Sequence, residues 1–346
     1  MPSIKEMSIA PKPSWERLIL LADFPDYYFP NEMKGTSELQ QCNAENPFGH
    51  PIKCFATFDK KLINQSDAVI FYSHGKNKLR DIDFLPVKLN GQTWTMFSVE
   101  SPAYSKNAAF GDPVFHRKFN STMTYRTDSE FWHGYIRTIK REIPWTETRR
   151  NIEEAALRKS FRNKTRMAAI FISHCNTPSN RHRYIHQLKM YMDLDVYGLC
   201  GDLKCEDRVK CDQMLSYDYK FYLAFENSIC VDYVTEKLLR VLKSGRVVPI
   251  VRGGANYGKL FPRNSVIDTS LFFSAYELAH HVNQLGQDED EWVKMFNWRS
   301  NWEVSEPYLP MCQYCYHLYK HQRSWHLYDN VYAWWNKDAC FRPVDL

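Results

Sequence analysis

Residues 221–251 read FYLAFENSICVDYVTEKLLRVLKSGRVVPIV. The apolar run Phe221 to Phe225 has the length of a buried strand and stops at a polar loop, Glu226-Asn227-Ser228. Leu238, Leu239, Val241 and Leu242 then recur with helical spacing, and Gly245 stands just past the last of them. Val247 to Val251 is apolar again. Strand, loop, helix, glycine stop and strand predict a parallel βαβ unit of a doubly wound sheet. Such sheets bind ligands beyond the carboxyl ends of their strands, at helix N-termini that favour anions. Here that place holds Asn227, Tyr233, Thr235, Glu236 and Lys237. A loop mixing amide, phenol, hydroxyl, acid and cation suits a charged, hydroxyl-rich ligand.

Outward from this unit the α/β pattern continues. Leu18 to Leu21, Ala68 to Phe71 and Trp94 to Val99 read as buried strands, each followed by a polar or Gly/Pro loop. Met167 to Ile172 reads as the strand opening a second domain, Asp195 to Gly198 as a strand end, and Ala275 to Leu285 as a helix. The intervening stretch from about 137 to 166 is dense in Arg and Lys around the helix formers Glu153 to Leu157. It reads as a solvated helix leading into an interdomain connection, with an acidic-partner site as the functional alternative. The expected organisation is a polar stem remnant at 1–14, a first α/β domain at 15–165, a ligand-binding domain at 166–310, and an aromatic tail at 311–346. That tail carries Trp325, Trp334 and Trp335.

Bulk properties narrow the function. At 346 residues the chain is long for one core, and its 44% apolar content excludes disorder as the main state. A net charge of +5 suits an anionic nucleotide without demanding one. No nucleic-acid-binding signature accompanies it, so nucleic acid is not an expected partner. Ten cysteines occur with three sequons, at Asn64, Asn120 and Asn163, a combination that favours an oxidising secretory compartment. The longest apolar run near the start, Leu18 to Ala22, is far short of the roughly 20 residues a membrane span needs.

The stretch FYLAFENSICVDYVTEKLLRVLKSGRVVPIVRGGANY, residues 221–257, resembles the donor-binding motif of the α1,3-fucosyltransferases, glycosyltransferase family 10. Weaker likeness runs from about residue 40 to the cysteine pair near 315. The resemblance implies a GT-B fold: two Rossmann-like, doubly wound domains facing across a cleft, the tail packing back on the first. It implies inverting transfer of L-fucose from GDP-β-L-fucose to the 3-OH of N-acetylglucosamine in N-glycans and related glycans. No metal cofactor is essential in that chemistry, though a divalent cation such as Mn²⁺ can stimulate it. The partners implied are GDP-fucose and a GlcNAc-containing acceptor, in the Golgi lumen, with a type II membrane anchor that this sequence does not show. A catalytically silent sugar-nucleotide- or glycan-binding protein on the same scaffold is the alternative.

Inverting fucosyl transfer needs one general base on the acceptor hydroxyl and positive charge on the leaving diphosphate. Glu100 follows the strand ending in Phe97-Ser98-Val99, and its segment resembles the family's W…ESP motif, whose glutamate is the base. Arg181, between a strand and a helical stretch, matches the family's phosphate-binding arginine, with Arg183 as fallback if the register slips. Lys237 opens a helix, a place unfavourable to a cation unless a phosphate explains it. By resemblance Glu236, Asn227 and Tyr233 hold ligand hydroxyls, and Arg126 of Tyr125-Arg126 is a further donor-binding candidate. Glu226 reads as a cap of the loop backbone. Asp193-Leu-Asp195 has the spacing of a metal-binding DxD, as do Asp81-Ile-Asp83 and Asp288-Glu-Asp290, and is read as structural. Cys312-Gln-Tyr-Cys315 reads as half a zinc site or as two disulfide ends, the latter fitting a secretory chain. The resemblance implies that Cys42 and Cys54 bridge to this pair, in an order the spacing leaves open. Two departures from the family pattern, Leu271 and Ala275, predict altered packing rather than lost activity.

Overall fold

The computed structural model describes residues 16–22, 24, 35–44, 46–73, 87–105, 108–307, 309–320 and 326–345. The stem remnant at 1–14, Asp81-Ile-Asp83 and Trp325 lie outside the described residues. The chain divides into two compact units: Met1–His133 with Tyr308–Ala339, and Gly134–Pro307 with Cys340–Leu346. The first boundary therefore falls at 133/134 rather than 165/166. Its cause is the basic segment, which is no connection but part of the second unit. The helix Glu147–Asn163 is capped by Thr146 and buries Leu157 and Phe161 in that unit's core. The tail is also divided, since its last residues leave the first unit for the second.

The first unit is built on β1 (Glu16–Ala22), β2 (Thr36–Glu38), β3 (Lys53–Thr57), β4 (Ala68–Tyr72), β5 (Thr93–Ser98), β6 (Ser121–Thr124) and β7 (Phe131–Trp132). Six strands run parallel in the order β3-β1-β4-β5-β6-β7, and β2 pairs antiparallel with β3 at the edge. The sheet steps out one way from β1 to β3 and the other way through β4 to β7, the doubly wound pattern. Every residue of β4 and β5 is buried, as parallel strands covered on both faces require. The hydroxyls inside β5 are satisfied: Thr95 Oγ1 lies 2.7 Å from both Ser121 Oγ and Tyr314 Oη. Tyr314 belongs to the helix Met311–Lys320, which two disulfides, Cys42–Cys312 and Cys54–Cys315, fix to this unit. Trp335, fully buried, donates Nε1–H to Ser105 Oγ at 2.7 Å.

The second unit contains β8 (Arg137–Lys140), β9 (Arg166–Phe171), β10 (Leu194–Tyr197), β11 (Tyr219–Phe225), β12 (Ile229–Cys230), β13 (Val248–Arg252), β14 (Ile267–Asp268), β15 (Trp302–Ser305) and β16 (Cys340–Phe341). Five strands form a parallel sheet in the order β10-β9-β11-β13-β14. Alternation along β11 sends Phe221, Leu223 and Phe225 to one core and Tyr222 and Ala224 to the other, so both faces are covered. The helix Glu236–Ser244 buries Leu238, Val241 and Leu242 and ends at Gly245. Gly245 has φ +59°, a left-handed conformation that favours glycine, and a Cβ there would have to push aside the Arg299 guanidinium. Two α/β units with doubly wound sheets are the components of the GT-B class the sequence implies.

Candidate active site

In the second sheet the chain winds outward in opposite directions from β9 to β10 and from β9 to β11. This topological switch opens a crevice beyond the carboxyl ends of β9 and β11, where doubly wound folds bind ligands. The segments leaving those two ends are 172–181 and 226–235, and hydrogen bonds join them. Ser179 donates its N–H to the Asn227 carbonyl at 3.0 Å and its Oγ–H to the Glu226 carbonyl at 2.8 Å. Arg181 begins the helix Arg181–Leu188 and is only 3% exposed. Its guanidinium donates to the carbonyls of Phe225 (2.8 Å) and His174 (3.2 Å), spanning both segments. The fallback Arg183 lies exposed on the same helix.

Glu226 lies at the centre of this arrangement. Its carboxylate, 1% exposed, accepts the Thr235 N–H (2.8 Å), the Thr235 hydroxyl (2.9 Å) and the Lys237 ammonium (3.0 Å). Burial pushes the Glu226 carboxyl above its ordinary range, with the Lys237 charge working against that shift. Lys237 also donates to Thr235 Oγ1 at 2.7 Å and to Glu236 at 3.2 Å. Burial would lower Lys237, but Glu226 and Glu236 outweigh it and raise the ammonium above its usual value. Arg181 is close enough for its charge to oppose that of Lys237. Two cations thus converge at the switch point, one held from below by a buried carboxylate. An anion placed there would meet both.

The rest of the loop is pinned from several directions. Cys230 is disulfide-bonded to Cys340, and β12 pairs antiparallel with β16. Val231 bridges to Gly254. Tyr233 is buried to 1% exposure. Asn227 offers its backbone carbonyl to Ser179 and its Oδ1 to the Ser228 hydroxyl at 3.0 Å. Glu236 stands at the helix start with its side chain 53% exposed. Burial would raise its carboxyl, and the Lys237 charge reverses the shift to hold it low. The structure therefore brings Arg181, Asn227, Tyr233, Glu236 and Lys237 into one loop system. It gives Glu226, read from sequence as a backbone cap, the central place. The signal for Glu226 was present: an acid closes a fully apolar strand, and a buried charge demands a partner. Ser179, which joins the two segments, carried no such signal.

Other candidates have different surroundings. Glu100 is half-buried, two residues beyond the carboxyl end of β5 in the first unit, and its carbonyl accepts the Ser98 hydroxyl at 3.1 Å. Arg126, also in the first unit, is committed locally: it forks onto Asp128, donates to the Trp334 carbonyl at 2.9 Å and stacks 4.3 Å from the Trp334 ring. Asp195 accepts from Tyr219 Oη at 2.6 Å and pairs with Arg166, which occupies the DxD carboxylate. Of the sequon asparagines, Asn64 and Asn163 are exposed. Asn120 is 7% exposed, its Oδ1 accepting the Trp94 N–H at 3.0 Å and the Lys88 ammonium. That burial within the strand layer removes Asn120 as a glycan acceptor in this fold. Leu271 is 78% exposed and Ala275 opens a helix capped by Ser274, so Leu271 contributes nothing to the core. All ten cysteines are paired, Cys175–Cys200 and Cys205–Cys211 completing the set.

Comparison with known proteins accords with this geometry. The family model described as "Fucosyltransferase, N-terminal" matches residues 16–136, and that described as "Glycosyltransferase family 10 (fucosyltransferase) C-term" matches residues 161–334. The chain is 35% identical over 259 residues to Alpha-(1,3)-fucosyltransferase C of Drosophila melanogaster, covering 70% of this chain and 59% of that protein. It is 31% identical over 293 residues to Glycoprotein 3-alpha-L-fucosyltransferase A of the same organism, covering 82% and 54%. The chain thus spans little more than half the length of these two relatives. A solved structure, "Crystal Structure of alpha1,3-Fucosyltransferase with GDP", shares the fold with a TM-score of 0.55 at 15% identity, covering 94% of this chain and 95% of that one. Both of its units are matched by family models, the second across the whole Glu226–Lys237 loop, and the chain belongs to glycosyltransferase family 10, the fucosyltransferases.

Proposed function

We propose that the protein is an inverting α1,3-fucosyltransferase that moves L-fucose from GDP-β-L-fucose to the 3-OH of N-acetylglucosamine in glycans. The observation that carries this reading is the pair of cations, Arg181 and Lys237, held at the switch point of a family 10 domain. GDP departs as a stabilised anion, so its release calls for positive charge more than for a proton. Glu100 takes the base role. Its carboxylate removes the acceptor hydroxyl proton as the oxygen attacks the anomeric carbon opposite the diphosphate, and the bond from that carbon to the phosphate oxygen breaks. Glu236, Asn227 and Tyr233 face the donor's hydroxyls.

No divalent cation is essential in this scheme, and one such as Mn²⁺ acts at most as a stimulant. The commitment of Asp195 to Tyr219 and Arg166 supports this. The pairing of every cysteine supports an oxidising compartment, and we place the enzyme in the Golgi lumen. Among the described residues no helix is long and apolar enough to cross a membrane.

Incubation with GDP-fucose and a panel of GlcNAc-containing acceptors, followed by linkage analysis, tests the reading. An α1,3-fucosylated product that persists in EDTA is expected. GDP binding without product would show a silent binding protein, and activity abolished by EDTA would show a metal-dependent transferase.

A further inference from the structure

The last residues of the chain return to the switch point after a long excursion through the first unit. Three independent ties hold them there. Cys340 is bonded to Cys230 in the middle of the 226–235 loop, and Ile229–Cys230 pairs antiparallel with Cys340–Phe341. Asp345 takes both Nη atoms of Arg252, a residue only 3% exposed at the carboxyl end of β13. A free C-terminal tail needs none of these.

Between this strap and the Arg181 loop lies an open pocket of about 560 Å³, lined by Pro178, Asn180, Cys340, Phe341, Arg342 and Pro343. Pro178 and Asn180 flank Ser179, whose hydrogen bonds fix the Glu226 and Asn227 carbonyls, and Asn180 immediately precedes Arg181. Arg342 is the single charged residue of the lining, and no carboxylate balances it there. Among the described residues it has no ion-pair or hydrogen-bond partner, unlike Arg252, which pairs with Asp345 three residues further along the strap. The other walls are two prolines, the half-exposed ring of Phe341, Cys340 and the amide of Asn180. An uncompensated guanidinium beside flat apolar walls matches a ligand that is anionic at one end and planar at the other.

We infer that the C-terminal strap is part of the donor site, with Arg342 contacting a phosphate of the nucleoside diphosphate and Phe341 lying against the nucleoside. This rests on the fucosyltransferase reading above and adds a cation that neither the sequence motif nor the Glu226 cluster contains. The Cys230–Cys340 bond then has a positioning task, since it sets where Arg342 stands relative to Arg181.

Calorimetric titration of the full chain with GDP and with guanosine tests the inference. Arg342→Ala is expected to weaken GDP binding roughly 10-fold or more, the range of a charge-assisted hydrogen bond, and to leave guanosine binding near that of the parent. The Cys230→Ser/Cys340→Ser double variant is expected to weaken GDP in the same direction. Should that variant fail to fold, Arg342→Ala alone decides. Unchanged GDP affinity in Arg342→Ala, with loss in Arg181→Ala, would overturn the strap's role and leave the fucosyltransferase reading standing. An equal loss for GDP and guanosine would overturn the phosphate contact. A parent protein that binds no GDP at all would remove both readings together.

Discussion

Glu226 and Lys237 meet at 3.0 Å within the 226–237 loop, the acid side chain buried to 1% and the lysine side chain 19% exposed. Eleven residues apart in sequence, they connect the end of β11 to the start of the next helix. The pair fixes the loop from inside, and the ammonium spends its three N–H groups on Glu226, Thr235 and Glu236.

Removing Lys237 leaves a buried carboxylate without its counter-ion. Lys237→Met should lower stability by about 3–5 kcal/mol in urea titrations. Glu226 is already raised by burial, and losing Lys237 raises it further, so the folded state keeps a proton that the unfolded chain has shed. Stability of the variant should therefore fall as pH rises above the ordinary carboxylate range. A pH-independent deficit between pH 5 and 8 would contradict the pairing.

Arg181 donates to two backbone carbonyls, and in the function proposed above it also binds the diphosphate. Arg181→Ala should weaken GDP binding by roughly 1.5–3 kcal/mol and also lower the unfolding midpoint, because buried carbonyls lose their donors. Arg181→Lys restores the charge but not the fork, so it should recover GDP affinity only in part. A GDP titration indistinguishable from the parent would take Arg181 out of the phosphate site.

Glu100→Gln keeps the shape of the side chain and removes the base. GDP affinity should stay near normal while kcat falls at least about 100-fold. A mild kinetic effect would strike Glu100 from the base role.

Lys164, 5% exposed, is held by the Ser216 carbonyl, and burial lowers it to about 7. Its folded value lies below its unfolded one, so between about pH 7 and 9 the unfolded chain binds more protons. Stability should therefore rise with pH across that window. Burial likewise lowers Lys88, to about 8, which adds to the same slope. Urea midpoints at pH 6, 7, 8 and 9 should climb in the parent and climb less in Lys164→Met. A slope unaltered by the substitution would sink the assignment.

Much of this was legible because local signals agreed with one another. The 221–251 stretch carried strand, helix and glycine stop in order, and Gly245 marks the helix end where the spacing placed it. The helix Ala275–Leu285 has the bounds its apolar period predicts. The first domain boundary was not legible, because a run of Arg and Lys looks solvated whichever unit it covers. Leu157 and Phe161, two residues on one face, bury that helix in the second core. Asn120 failed for a related reason: a sequon is a three-residue pattern, and nothing in three residues tells that the amide closes a sheet against Trp94. The strap was invisible because its partners, Cys230 and Asp345's Arg252, lie about a hundred residues upstream and share no local pattern with it.

The first unit is assembled from two segments that the second unit separates in sequence. Cys42 and Cys54 find their partners 270 and 261 residues later, on the helix Met311–Lys320. Domains emerging during translation ordinarily fold in the order they appear. Here the segment before His133 must wait, its two thiols open to wrong partners, while the largely continuous second unit emerges behind it. A stop codon placed before Tyr308 would strand both thiols and take away the buried Tyr314 and Trp335. Such a truncation should send the chain to quality control rather than release a shortened enzyme.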